Sequence, residues 1–512
     1  MYGAVKAVQN TTSGCEAILC SPLTWNPFGK ATGTDPCIKC ETDPLLTSSI
    51  WASWYGRVSC GDISPTHEKE ILDKLFVVTG GRYWTIPHDN WLRPGIPICQ
   101  REGVECMNSN LNEGVLELRM NRFGMRGTIP SDIWELSHAR LISFTNNEID
   151  IGFKGIEKAA ALKVLKLSMC RIRSLDGIEN VPGRLVELHL AKNQFNGTVP
   201  EQIFSLKQVS SLFLSGNNFE GTIPTSFATL SGLQLLDLSD NRFTGPLPSE
   251  LGILHYLQSL ELQLNELSGT VPIELQVLPN LQYFDVSKQE GTKLGGVLPV
   301  FERCPSLVHL DLSQNSFSGP LPSNMLAVGN PSSEIFLNLA KNRLDGDIPS
   351  EWGRFESLTV ELAGNRLTGL PDSLCDLNEW QKGLVGLLKT CNVILCPPGT
   401  AAPLGRQTSA MDSCAACLDG ETSAPFYGAT TCLDSRLVQE KQVLSDFYES
   451  ANGTNWLIQT DWLSDRSVCD WYGVFCNDKQ HIVEIKLDTN NVAGSSFHVS
   501  DILTLEDLTV SI

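Results

Sequence analysis

From Leu185 onward the chain repeats itself every 24 residues, and this short period constrains the fold more than any other feature. Leu185, Leu188, Leu190, Asn193, Phe195, Gly197, Val199 and Pro200 recur as Val209, Leu212, Leu214, Asn217, Phe219, Gly221, Ile223 and Pro224. The same spacing returns from Leu233 to Pro248 and from Leu257 to Pro272. Copies of roughly 20–29 residues are too small to close cores of their own, so they must stack into a solenoid. Read outward, one slot of the repeat is filled by Phe123, Asn147, Cys170, Asn193, Asn217, Asn241, Asn265, Gln289, Asn315, Asn342 and Asn365, which makes eleven repeats. Asparagine suits an inward slot because its two donors and one acceptor satisfy turn backbone groups cut off from water. One short strand per repeat, stacked at ~4.8 Å, gives a parallel sheet roughly 50 Å long.

A second, much longer repeat frames the first. Cys15, Cys20, Cys37, Cys40, Cys60, Cys99 and Cys106 return as Cys391, Cys396, Cys414, Cys417, Cys432, Cys469 and Cys476, shifted by 376 residues at the first pair and 370 at the last. Gly81 with Trp84 returns as Gly453 with Trp456. The twin of Cys375 falls just before the first residue, so the chain reads as a fragment of a longer tandem protein. Clustered cysteines point to structural disulfides and an oxidising compartment. The two C-x-x-C pairs, Cys37 with Cys40 and Cys414 with Cys417, lack both the second close pair that zinc wants and the βαβ context of a redox motif, so disulfides are favoured with their pairing left open. Cys170 and Cys304 stand apart and read as buried thiols, Cys170 because Leu165, Leu167 and Ile172 surround it.

Other classes are excluded on charge and on missing motifs. With 38 basic against 58 acidic side chains the formal net charge is -20, which opposes nucleic acid and anionic membrane surfaces. No apolar run reaches the roughly 18 residues of a membrane span, and Met1 to Ser13 lacks the pattern of a signal peptide. No P-loop, HExxH, GxSxG or kinase signature appears, so no catalytic residue, no cofactor and no metal site is assigned.

The pattern LxxLxLxxNxLxGxIP resembles the plant-type leucine-rich repeats of receptor-like proteins, receptor-kinase ectodomains and polygalacturonase-inhibiting proteins, over about Val115 to Pro371. That resemblance implies an α/β fold, a right-handed solenoid with a concave parallel sheet, in an extracellular or cell-surface protein. The second and third repeats depart from it by lacking Gly-x-Ile-Pro, and three extra residues enter between Gln289 and Leu294. A solenoid needs sealed ends. Glu68 to Val78 reads as an amphipathic helix with Ile71, Leu72, Leu75 and Phe76 on one side, followed by Gly80-Gly81, Trp84 and Trp91-Leu92, and this resembles the family's N-terminal cap. Phe447-Tyr448, Asn452-Gly453, Trp456, Trp462-Leu463 and Trp471 repeat it, with Arg101 standing in the first copy where Trp471 stands in the second. The resemblance implies disulfides Cys99–Cys106 and Cys469–Cys476. Cys396-Pro-Pro-Gly-Thr, Cys414-Ala-Ala-Cys417 and Tyr427-Gly-Ala-Thr-Thr-Cys432 resemble the small cysteine-rich repeats of ephrin receptors. The expected organisation is therefore a cysteine-rich tail (1–66), a cap (67–112), eleven repeats (113–371), a C-terminal cap with cysteine-rich linker (372–434), a second cap (435–480) and the start of a second array (481–512).

Residues alternate inward and outward along each strand, so outward positions form columns on the concave face. One column reads Arg119, Ser143, Lys166, His189, Phe213, Asp237, Glu261, Asp285, Asp311, Asn338 and Glu361, and beside it lie Glu187, Tyr283, His309 and Phe336. His189, Phe213, Asp237, Glu261, Tyr283, Asp285, His309, Asp311 and Phe336 are the candidate ligand-binding residues, since exposed rings beside a row of carboxylates suit a basic or polyhydroxylated ligand, or Ca2+. Leu-Asp-Leu-Ser is also the family's commonest strand, which gives Asp237 and Asp311 a second reading as groups that only keep the face soluble. Asn10, Asn196 and Asn452 carry N-glycosylation sequons. The expected function is non-catalytic recognition of a protein, peptide or glycan, with a tandem adhesive coat protein or a polysaccharide-hydrolase inhibitor as alternatives and a kinase segment beyond this chain left open.

Overall fold

In a computed structural model the described residues are 67–86, 89–92, 96–108, 113–417, 421–422, 426–451, 453, 456–463, 467–477, 481–487 and 509–511, with two-residue strands Thr24–Trp25 and Ile38–Lys39. Cys15, Cys20, Cys37, Cys40, Cys60, Asn10 and Asn452 lie outside them. The chain divides into two compact units between Asn218 and Phe219.

The first unit opens on the helix His67–Val78, which buries Ile71, Leu72, Leu75 and Phe76. Trp84 and Trp91 close around Phe76, with ring centroids 5.0 Å apart for Phe76–Trp84 and 5.1 Å for Trp84–Trp91. Gly81 permits this packing, because a Cβ there would sit 2.2 Å from the Phe76 ring. The Glu68 carboxylate accepts the backbone N–H of Gly114 at 2.9 Å and of Val115 at 3.2 Å, tying the helix to the first repeat. Arg101 is buried and only partly satisfied, its Nη2 pairing with Asp73 at 2.6 Å and its guanidinium lying over the Trp91 ring at 5.0 Å, while Nε and Nη1 have no hydrogen-bond partner among the described residues. A charge-plus-stacking contact thus does in this cap what an indole does in the other. Cys99 is bonded to Cys106, and the strand Val104–Asn108 pairs antiparallel with Glu113–Arg119. Leu141–Ser143, Val164–Lys166, Glu187–His189 and Ser211–Phe213 then add in parallel and in register. Leu118, Ile142, Leu165, Leu188 and Leu212 therefore stack as one row with no exposed surface.

The second unit repeats this arrangement with Leu235–Asp237, Ser259–Glu261, Tyr283–Asp285, His309–Asp311, Glu334–Asn338 and Ser357–Glu361, again parallel and in register. The Gly-x-Ile-Pro segments build short strands on the other side of the coil, such as Arg242–Gly245, and most end in a 3-10 turn after the proline, such as Ser249–Ile253, whereas plain turns follow Pro299 and Pro322. Gly245 takes φ 75°, a left-handed turn that a side chain resists. The second repeat keeps its outer strand, Glu148–Ile151, without the motif, whereas no outer strand is described between Cys170 and Leu175 in the third. The return paths are 3-10 turns rather than α-helices, because few residues remain after two strands in each coil.

The inward asparagines form a ladder. Asn265, 1% exposed, donates to Leu262 O of its own turn at 3.0 Å and to Leu238 O of the preceding repeat at 3.1 Å, and accepts from Phe243 N at 3.0 Å. Asn193, Asn315, Asn342 and Asn365 follow the same scheme, and Gln289 reproduces it with its longer amide. Cys170 fills the slot as a weak donor, its Sγ 3.4 Å from Phe144 O. Phe123, in the first repeat, packs instead on Trp84 of the cap at 5.4 Å. Burial pushes the thiols of Cys170 and Cys304 up to about 11 and about 12, so neither is a nucleophile.

After Glu361, Trp380 is fully buried with its indole N–H on Phe355 O at 2.8 Å, and Gln381 N–H bonds to Leu358 O at 2.7 Å, sealing the last strand. The linker beyond is held by Cys375–Cys391, Cys396–Cys414 and Cys417–Cys432. The second cap duplicates the first in detail. Cys469 is bonded to Cys476, Glu440 accepts the N–H of Ile482 as Glu68 does that of Val115, and a Cβ on Gly453 would strike Tyr448 at 2.3 Å. Lys441 lies over Trp471 at 5.7 Å. No helix among the described residues is long and apolar enough to cross a membrane.

Candidate functional site

In the first unit the register places Lys166, His189 and Phe213 side by side on successive strands. His189 stacks on Phe213 with centroids 4.3 Å apart. Glu187 meets Lys166 and His189 at 3.3 Å each. Burial acts to raise Glu187, but the hydrogen bonds from His189 and Lys166 outweigh it and hold its carboxyl below the usual range. The His189 imidazole is pushed down, by burial first and by Lys166 second. Charge in this patch is neutralised where it stands.

The second unit brings seven of the candidates into two adjoining columns. Asp237, Glu261, Asp285 and Asp311 are in register on four successive strands. Beside them Tyr283, His309 and Phe336 form a continuous stack, with centroids 3.9 and 4.6 Å apart and planes within 10° and 21°. Among the described residues none of the four carboxylates takes part in a salt bridge. Farther along the column Glu361 differs, because Arg406 of the linker grips it, Nε lying 2.9 Å from Oε2. That contact was not readable in the sequence, where the partners are 45 residues apart.

The carboxylates are not alike. Asp237 and Asp311 are half-buried, while Asp285, in the column beside the aromatic stack, is only 7% exposed. Each uses Oδ1 to accept a backbone N–H two residues on, from Ser239 at 3.1 Å, Ser287 at 2.8 Å and Ser313 at 2.9 Å. This turn-closing bond is what Leu-Asp-Leu-Ser provides structurally, and Asn338 provides it too, accepting from Ala340 N at 3.1 Å. A neutral amide therefore suffices for the turn, and a solubilising role does not account for a buried Asp285. Burial, opposed by Ser287 and aided by Asp311 and Glu261, pushes the Asp285 carboxyl up to about 6. Burial and then Asp237 raise Glu261, and burial with the neighbouring carboxylates raises the Tyr283 hydroxyl to about 12.

A stability consequence follows. Because the folded carboxyl titrates near 6 and an unfolded one near 3.8, the fold binds an extra proton between those values, so ionised Asp285 costs stability above pH 6 and nothing below pH 3.8. Asp285→Asn should raise unfolding stability at pH 7.5 by about 1–3 kcal/mol. The gain should fade as pH falls toward 4, and equal guanidinium midpoints for the two proteins at pH 7.5 would refute it.

Asn196 is exposed on the short outer strand Asn196–Gly197, where its side chain is open to modification. Three comparisons bear on the whole chain. A family model for the leucine-rich repeat matches residues 183–243, and a second matches residues 306–326. No curated protein matches. Among solved structures, a TDR receptor is 22% identical with a TM-score of 0.45, over 53% of this chain and 51% of that one. The Arabidopsis receptor kinase HAESA, solved in complex with the peptide hormone IDA and the co-receptor SERK1, is 21% identical with a TM-score of 0.40, over 61% and 68% of the two chains. The protein LIC12759 of Leptospira interrogans is 24% identical with a TM-score of 0.39, over 53% and 78%. This chain spans about half the length of the TDR receptor it matches.

Proposed function

We propose, from the premise that this is a leucine-rich-repeat protein, that it is an extracellular recognition module without chemistry of its own, and that its second unit holds a cationic peptide or protein segment on the sheet face. The observation that carries this reading is the contrast in charge pairing. Glu187 and Glu361 are each neutralised by side chains of this chain, whereas Asp237, Glu261, Asp285 and Asp311 stand in a row with no salt-bridge partner among the described residues. Like charges one strand apart repel, and a guanidinium or ammonium set between them relieves that repulsion while donating to two carboxylates at once. The adjoining Tyr283–His309–Phe336 stack offers rigid, half-buried ring surface for apolar or guanidinium packing. The five disulfides among the described residues support an oxidising, extracellular location.

The test is calorimetric titration with a tetra-arginine peptide, using tetra-glutamate as the control. Tetra-arginine should bind with an affinity that falls as salt rises. The combined variant Asp237→Asn, Glu261→Gln, Asp285→Asn should weaken it at least about tenfold, since each partly exposed pair contributes about 0.2–1 kcal/mol and more where desolvated. Equal binding of both peptides, or an unchanged affinity in the variant, would move the site elsewhere. A second reading, a tandem coat protein in which units serve as spacers, draws support from the matching of the two caps residue by residue.

A further inference from the structure

We propose that Asp285, His309 and Asp311 form a binding site for a divalent transition-metal ion of the Zn2+ type. One donor atom from each of the three lies within 4.8 Å of the others. The strand geometry explains the convergence. His309 and Asp311 are two residues apart on one strand and so share a face, and Asp285 is the in-register partner of Asp311 on the next strand.

The chemistry of the donors fits the ion. An imidazole with two carboxylates is a set that suits Zn2+, which takes nitrogen and oxygen ligands at ~2.0–2.2 Å and accepts three protein ligands plus an open position. Ca2+ wants six to eight oxygens, and one imidazole among few carboxylates serves it badly. Burial, against the pull of Asp311, holds the His309 imidazole below its ordinary value, which favours the uncharged ring that a metal binds. No hydrogen bond to the His309 ring is described, while its faces are fixed by Tyr283 and Phe336. The ring is thus oriented by stacking and left with its nitrogens available. Donors on one tetrahedral ion lie ~3.4 Å apart, so the ion must draw the set inward while competing with the bonds Asp311 accepts from Ser313 N and Asn338 Nδ2, both at 2.9 Å. Asp285 is nearly buried and carries a charge its surroundings disfavour, which a bound cation would relieve. The titratable groups around Asp285 are Asp311, Glu261, Tyr283 and His309, with no lysine or arginine in a salt bridge to it among the described residues.

A metal held here keeps one coordination position toward solvent, within the strip assigned above to a ligand. The inference rests on that strip being open, but its test uses the ion alone and can fail while peptide binding stands. Zn2+ titrated calorimetrically into the metal-free chain at pH 7.5 should bind at one site. His309→Phe, which keeps the ring stack and removes the donor, should weaken that site at least about tenfold, as should Asp285→Asn. His255→Phe, at an exposed histidine outside the strip, should leave it within about twofold. Lowering the pH from 7.5 to 5 should weaken the site, because protons compete with the ion for its donors. Zn2+ affinity unchanged in His309→Phe, or Ca2+ bound more tightly than Zn2+ by the wild-type chain, would overturn the proposal.

Discussion

Replacing Asn265 by alanine should cost the second unit about 2–5 kcal/mol, a substantial part of the stability of an ordinary domain. The side chain is 1% exposed and serves Leu238 O, Leu262 O and Phe243 N together. Truncation orphans Phe243 N at about 1–3 kcal/mol, while Leu238 O keeps Asn241 and Leu262 O keeps Gln289 as donors, so those two losses cost about 0.5–1 kcal/mol each beside a small cavity. Because a solenoid is held by nearest-neighbour contacts, the damage should be local first, with amide exchange speeding up in Leu235–Asp237 and Ser259–Glu261 before Glu334–Asn338. A guanidinium midpoint that shifts by less than the equivalent of about 1 kcal/mol would mean that water or a backbone adjustment satisfies the ladder.

Reduction should separate the linker from the repeats. Cys375–Cys391, Cys396–Cys414 and Cys417–Cys432 close loops of 16, 18 and 15 residues around a segment with few buried side chains. At loops of this length each bond contributes about 3 kcal/mol by restricting the unfolded chain, so losing all three exceeds what so small a core supplies. Both free cysteines among the described residues lie in the repeat region, and no disulfide joins residues 113–371. Under a phosphine reductant the linker should therefore lose its exchange protection while the repeat strands keep theirs. Arg406 should release Glu361 as it does so, adding a fifth unpaired carboxylate to the column and tightening tetra-arginine binding modestly. Protection retained across the linker after complete reduction would show that its packing, not its bridges, holds it.

The repeat frame, the caps and the position of the concave columns were legible in the sequence because each depends on spacing, and spacing is local. Leu118, Ile142 and Leu165 align because one residue of slip would turn every leucine to the wrong face. What the sequence concealed depends on packing between distant positions. Asp237 and Asp285 occupy the same place in the same motif, yet only Asp285 is sunk, and it stands beside the stacked rings of Tyr283 and His309, which Asp237 does not. Glu361 looked like one more free carboxylate until the linker folded back to deliver Arg406. Arg101 looked like a defect in a cap signature, and its compensation by Asp73 and Trp91 needed three dimensions to see. Phe123 broke the asparagine pattern for a reason that only the ladder explains, since an amide there would find no earlier coil to bond and a ring finds Trp84.

That last detail gives the stack a direction. The side chains of Asn193, Asn265, Asn342 and Asn365 each reach back to the coil before them, to Leu167, Leu238, Leu312 and Leu339. A newly synthesised coil emerging from the ribosome thus finds its template already in place upstream, and a growing chain can zip up in the order in which it is made, with the tryptophan-lined helix at its start acting as the primer.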